Sequence, residues 1–192
     1  METLAGVFVF IFGTIIGSFL NVCIHRLPKN ESVVSPMSHC PNCNRDIFWY
    51  DNIPVLSYIV LKGRCRFCGS KISFRYFIVE LLTGLVLFLL FLAFGITPKF
   101  FTYGVFVCGL VVATFVDFEM REIPDQVSLG GIIVGLAAAV IFPSIFDTAS
   151  RFSGILNSFL GVLAGGGSIY AMGFFGKLAF RKEAMGGGDV KL

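Results

Sequence analysis

Five apolar runs constrain this chain of 192 residues more than any other feature: residues 4–24, 77–94, 100–116, 127–146 and 155–176. Each is close to the length an α-helix needs to cross a hydrocarbon core of about 30 Å, at about 1.5 Å per residue. Inside lipid the backbone has no water to bond, so a spanning segment must be a helix or part of a closed barrel, and continuous apolar runs are the helical solution. Composition agrees. Hydrophobic residues make up 56% of the chain, with 23 Phe and a mean hydropathy of +0.84. Charged residues make up 14%, against roughly 25% in soluble domains. The sequence therefore predicts an all-α polytopic membrane protein with about five transmembrane helices. The first run follows Glu2 without a basic stretch and has no small-residue cleavage site after it. It reads as a retained span and not as a cleaved signal peptide.

The net charge of +3 is small, and its distribution is the informative part. With five alternating spans, every Lys and Arg except Lys99 and Arg151 falls on one side. These residues lie in the long connection after the first run, at Arg121, and in the tail after the last run. Positive charge beside spans marks the cytoplasmic side, which puts the N-terminus outside. Insertion accounts for the basic residues, so the sequence implies membrane lipid as a partner and no nucleic acid.

The connection between the first two runs holds Cys40-Pro-Asn-Cys43 and Cys65-Arg-Phe-Cys68, separated by 21 residues. Two C-x-x-C pairs at this distance can turn four thiolates toward one tetrahedral zinc ion. A closed four-thiolate site has no open position for water, so the expected role is structural. Two disulfides or free thiols are the alternatives, and a cytoplasmic location disfavours the disulfides. His39 is expected to be surplus to coordination. Cys23 and Cys108 lie in apolar runs and read as packing residues. The stretch from Trp49 to Pro54 is aromatic and amphipathic, which suits the headgroup layer.

Two carboxylates remain to be explained. Asp117 closes the third apolar run, and an ionisable residue at the edge of hydrocarbon is a functional candidate by default. Asp189 follows Gly186-Gly187-Gly188. Glycines there allow another backbone to come close. Span counting places both aspartates at the cytoplasmic face. Two close carboxylates can share one proton, so that one activates water and the other polarises a scissile carbonyl. Taken singly, Asp117 is also compatible with an interfacial side chain, and Asp189 with a helix cap. No Ser-His-Asp arrangement competes, because the chain has two His and His25 lacks a nucleophile partner.

Read in order, the motifs are G-S-F-L-N-V-C-I-H-R-L-P from Gly17, the paired C-x-x-C, V-E-L-L-T-G from Val79, V-D-F-E-M-R-E-I-P-D from Val116, and G-G-G-D from Gly186. Over essentially the whole chain this set resembles the type IV prepilin peptidase family. The resemblance implies an integral membrane aspartyl protease of the bacterial inner membrane. Such an enzyme cuts the basic leader from prepilin and pseudopilin helices at the cytoplasmic face. Many members also N-methylate the new N-terminal residue with S-adenosylmethionine. Carried over by motif, the catalytic residues are Asp117 and Asp189, with Asp125, Gly186 and Gly188 as secondary candidates. Gly17, Ser18, Asn21, Arg26 and Glu80 are candidates for methyl transfer. The implied organisation is a first helix over 1–24, a methyltransferase-associated zinc loop over 25–76, and peptidase helices over 77–192. The family continues past its G-x-G-D motif with further spans. On this reading the C-terminal helices are missing, and peptidase activity is expected to be reduced. Two other readings of the sequence are an intramembrane G-x-G-D protease of the presenilin kind with another substrate, and a non-enzymatic assembly factor or ion-coupled transporter. The cysteine loop and the G-S-F-L-N-V stretch argue against the first. The lack of internal repeats argues against a transporter.

Overall fold

The computed structural model describes residues 2–35, 37–121, 124–142, 145 and 151–180. Its α-helices are α1 (Glu2–Arg26), α2 (Leu56–Val60), α3 (Phe74–Phe94), α4 (Pro98–Met120), α5 (Asp125–Ile141) and α6 (Arg151–Phe180). They fall into two units, Met1–Gly95 and Ile96–Leu192.

In the first unit α1 and α3 lie against each other along their length. The reason is written into α1. Gly6, Gly13, Thr14, Gly17, Asn21 and Ile24 are buried, and their spacings of three, four and seven place them on one face of a helix. The facing side of α3 is Val79, Glu80, Thr83, Gly84 and Leu87. A Cβ built on Gly13 would sit 2.8 Å from Gly84 Cα, and one on Gly17 would sit 2.7 Å from Glu80 Cα. The G-x-x-x-G pair thus lets two backbones meet, as small residues do between membrane helices. The opposite sides, including Phe8, Phe12, Ile15 and Phe19 of α1 and Leu85, Leu89 and Leu92 of α3, are exposed. Apolar and exposed, they suit contact with lipid.

Helix ends follow local chemistry. The Ser73 hydroxyl accepts from Arg75 N at the start of α3. Gly95, at φ 60°, ends that helix with its N–H on Phe91 O. Thr97 caps α4 through Phe100 N, ahead of Pro98 in the first turn.

In the second unit α5 packs against both α4 and α6. The third apolar run does not stop at Val116: α4 runs on to Met120, so Asp117 lies inside its last turn. Asp125, expected in the connection, instead opens α5 behind Pro124. The fourth run is shorter than anticipated. α5 has 17 residues and ends at Ile141, where Phe142 turns to φ −125°, ψ 72°. Phe142 precedes Pro143, and the proline ring disfavours helical backbone in the residue before it. Among the described residues, four helices are long and apolar enough to cross a membrane: Thr3–Lys29, Phe74–Phe94, Pro98–Met120 and Phe152–Met172. At about 25 Å, α5 is at the lower limit for a span.

Candidate functional site

The long connection is built from one motif used twice. Cys40 N donates to Arg45 O at 2.9 Å and Asn44 N to Cys40 O at 2.8 Å. Twenty-five positions later, Cys65 N donates to Ser70 O at 2.8 Å and Gly69 N to Cys65 O at 3.0 Å. Each half closes with a single antiparallel bridge, His39 with Asp46 and Arg64 with Lys71. The fifth residue of each turn has positive φ, 52° at Asn44 and 69° at Gly69. Asn and Gly are the residue types that tolerate that backbone.

These turns bring the four cysteines together. Their Sγ atoms all lie within 4.8 Å of one another, and Cys40 and Cys68 are 3.8 Å apart. Metal–sulfur bonds of about 2.3 Å in a tetrahedron require sulfur separations of about 3.8 Å, so the residues fit a tetrathiolate metal. All six cysteines of the chain are free, and the disulfide alternative is not adopted. His39 turns its Nδ1 to Met37 O at 3.2 Å and stays outside the cluster. Polar neighbours set the thiols apart from one another. The Ser70 hydroxyl, the Ser70 backbone and the Asn42 amide hold Cys68 down at about 6. The Cys43 backbone contact with Arg45 acts downward, but burial and the neighbouring thiols outweigh it and push Cys43 up to about 11.

Sequence reasoning missed what braces this loop. Arg66 holds Asp51 through two bonds, Nε to Oδ2 at 2.7 Å and Nη2 to Oδ1 at 2.5 Å, and the Asp51 side chain is 6% exposed. The Arg66 guanidinium also lies 5.6 Å from the Tyr50 ring centroid, and Arg45 lies 5.0 Å from that of Phe67. The signal was an Asp in an aromatic stretch with an Arg inside the second C-x-x-C, but nothing in the spacing linked them.

A second cluster joins α1, α3 and the loop. Glu80 Oε2 accepts the Val55 N–H at 2.7 Å, and Ser18 also hydrogen-bonds the Glu80 carboxylate. Asn21 Nδ2 donates to Tyr76 O at 3.1 Å, while its Oδ1 is buried and has no hydrogen-bond partner among the described residues. Gly17 lies directly against the Glu80 backbone. Four of the five methyl-transfer candidates, Gly17, Ser18, Asn21 and Glu80, therefore share one α1–α3 contact. Arg26 ends α1 and turns into the loop, donating to Ser32 O at 2.9 Å. Val55 was not anticipated. It has φ 62° and ψ −51°, and Leu56 N bonds Pro54 O at 2.6 Å. That is a γ-turn of the rare positive-φ type, strained for a β-branched residue.

Asp117 is exposed in the last turn of α4, and its carbonyl accepts Arg121 N at 2.8 Å where Arg121 enters the left-handed region. Asp125 is exposed in the first turn of α5. The two carboxylates flank one short connection. Asp189, Gly186 and Gly188 lie outside the described residues.

Residues 11–94 match the profile of the bacterial peptidase A24 N-terminal domain, and residues 104–192 match that of the type IV leader peptidase family. The chain is 36% identical over 198 residues to the type 4 prepilin-like proteins leader peptide-processing enzyme of Escherichia coli O78:H11, covering 94% of this chain and 71% of that relative. The chain belongs to the type IV leader peptidase family. A prepilin leader peptidase/N-methyltransferase of Klebsiella pneumoniae is 34% identical over 97% of this chain and 81% of the relative. The protein of the same name from Myxococcus xanthus is 40% identical over 98% of this chain. This leader-peptidase chain spans 54% of the Myxococcus protein's length. No solved structure matches it. The division between the two profiles follows the two units. The cysteine cluster and the Glu80 contact lie within the N-terminal-domain match, and Asp117 lies within the leader-peptidase match.

Proposed function

We propose that this protein removes the basic leader from prepilin or pseudopilin helices and N-methylates the residue exposed, at the cytoplasmic face of a bacterial inner membrane. The observation that carries the reading is the pair of adjacent family matches, one over each half of the chain. Asp117 and Asp189 are the reacting pair. One carboxylate, ionised, takes a proton from water; the other, protonated, hydrogen-bonds the scissile carbonyl oxygen and then supplies a proton to the leaving amine. Gly186 and Gly188 give the peptide backbone room to approach Asp189. Asp125 and Glu119 add negative charge on the Asp117 side, which favours a basic leader.

The cysteine cluster holds zinc as a structural ion, since four thiolates leave no position for substrate or water. S-adenosylmethionine is the methyl donor by family membership. Asn21 Oδ1, a buried acceptor without a partner among the described residues, is available to a donor group of such a ligand. Glu80 is engaged by Val55 and Ser18, and Arg26 by Ser32. One acceptor does not define a cofactor cradle.

The test is prepilin processing in membranes containing the protein or its Asp117→Asn and Asp189→Asn variants. Each substitution is expected to reduce cleavage by about a hundredfold to ten-thousandfold, the range for loss of an acid–base group. Methylation of a pre-cleaved substrate is expected to persist. Cleavage at the parental rate in both variants would remove the aspartyl mechanism.

A further inference from the structure

We infer that α2 and the turn before it sit in the membrane and not in water, with Leu56, Ile59 and Val60 against lipid acyl chains. The depth follows from one hydrogen bond. α3 has 21 residues and is about 31 Å long, barely the thickness of the hydrocarbon core. Most of it must therefore lie within that core, with Arg75 at one edge. Glu80 is five residues further in, about 7.5 Å along the axis. Its side chain tilts back toward the helix N-terminus, so the carboxylate lies about one turn below the plane where α3 enters. Val55 N is 2.7 Å from that carboxylate. The bond pins the start of α2 at the depth of interfacial helices, about 5–10 Å into the headgroup–acyl boundary.

The rest of the segment is suited to that depth. Leu56, Ile59 and Val60 are 55%, 59% and 65% exposed and lie on one side of α2. Ser57 and Tyr58 face inward: Ser57 Oγ donates to Tyr50 O at 3.0 Å, and the Tyr58 ring packs on Phe74 and Phe77 of α3. Phe74 and Ile78, in the first turns of α3, are exposed as well. Irregular backbone at membrane depth requires internal partners, and here it has them. Leu56 N bonds Pro54 O, Ser57 N bonds Ile53 O, Ile59 N bonds Val55 O and Leu61 N bonds Ser57 O. Trp49, 79% exposed, and Tyr50 lie on the turn leading into the segment, at headgroup level. Lys62 and Arg64 follow it where the chain returns to water.

The inference rests on α1 and α3 crossing a bilayer and is independent of the proposed catalysis, so depth is measured without any activity assay. Trp49 is the single tryptophan of the chain. Trp49→Phe combined with Ile59→Trp, or with Leu56→Trp should the first not fold, places a lone reporter on α2. The protein is reconstituted in phosphatidylcholine–phosphatidylglycerol vesicles with bromine at defined acyl positions, and folding is checked by circular dichroism. Residue 59 is expected to be quenched by shallow acyl bromines and shielded at least about fivefold from aqueous iodide relative to free tryptophan, as for other interfacial side chains. Trp49 in the parent is expected to respond to bromines nearest the headgroup. Iodide access to residue 59 equal to that of free tryptophan would overturn the inference. So would shielding that appears only on adding a prepilin signal peptide, which would make this a substrate surface. Shielding only at high protein-to-lipid ratio would also overturn it, by assigning the face to a second copy.

Discussion

Gly17→Ala tests the α1–α3 contact on which both the Glu80 cluster and the depth of α2 depend. The added methyl would lie 2.7 Å from Glu80 Cα, 3.0 Å from Val79 O and 3.2 Å from Glu80 O. All three are backbone atoms of a continuous helix, so no side chain can rotate away. Ordinary contact needs about 3.5–4 Å between carbons, so the helices must separate by about 1 Å at this level. Overpacking of this kind costs about 1–3 kcal/mol. Alanine returns up to about 1 kcal/mol through its helix propensity. The net loss expected is about 1–2 kcal/mol, a factor of about 5–30 in the folded-to-unfolded ratio. Gly13→Ala, at 2.8 Å from Gly84 Cα, should behave alike. Two controls separate packing from propensity. A methyl on Gly6 meets the Phe88 ring edge at 2.8 Å, which can swing, and one on Gly130 meets nothing within 4 Å. Both should be neutral or mildly stabilising. The assay is unfolding in mixed micelles of rising dodecyl sulfate fraction, followed by circular dichroism. If Gly17→Ala and Gly13→Ala unfold no earlier than Gly130→Ala, close backbone approach does not hold this unit together.

Two further outcomes concern the cysteine loop. Purified protein should carry about one zinc per chain, lost in Cys40→Ser and Cys65→Ser by elemental analysis; full occupancy in both would exclude the tetrathiolate. Cys68 is held near 6 from an ordinary 9.0, so its contribution to the metal-free loop is full above 9.0 and is lost as pH falls through about 6. Cys43 is raised to about 11, so its contribution is full below 9.0 and is lost as pH rises through about 11. Because protons compete for thiolates, zinc release to a chelator should accelerate as pH falls through 6. Asp51→Asn, which replaces the carboxylate held by Arg66 beside Cys65, should speed chelator-driven release at neutral pH without altering membrane insertion. The Arg66 hydrogen bonds hold the Asp51 carboxyl below its ordinary range, so the difference from the parent should vanish only in acid, below that range. Equal release rates at pH 7 would show the pair to be idle.

The helices were legible because lipid leaves them few alternatives. Apolar length alone located α1, α3, α4 and α6, and the G-x-x-x-G spacing on α1 named the face that packs. The end of α5 was misjudged because the apolar composition continues past Ile141, while the backbone responds to Pro143 one residue ahead. The cysteine cluster was legible from spacing, since two identical five-residue turns need little else. The contacts that seat the loop were not. Val55 to Glu80 and Asp51 to Arg66 join residues 25 and 15 positions apart, and no periodicity relates an irregular loop to a helix. A β-branched residue at positive φ is also the reverse of what propensity suggests, so the Val55 turn exists only because tertiary contacts hold it.

Glu80 and Asp117, each within a helix long enough to span lipid, differ on physical grounds. A carboxylate in such a segment is costly and requires a reason. Glu80 has a structural one: it is buried, it accepts the Val55 N–H and the Ser18 bond, and it fixes the loop against α3. Asp117 has no comparable return. It is exposed, and it stands in the last turn of α4, where the helix dipole is negative and a carboxylate is disfavoured. Stability would replace Asp117 before Glu80. Among the described residues the fold gains nothing from the Asp117 carboxylate, which is consistent with the catalytic role proposed for it.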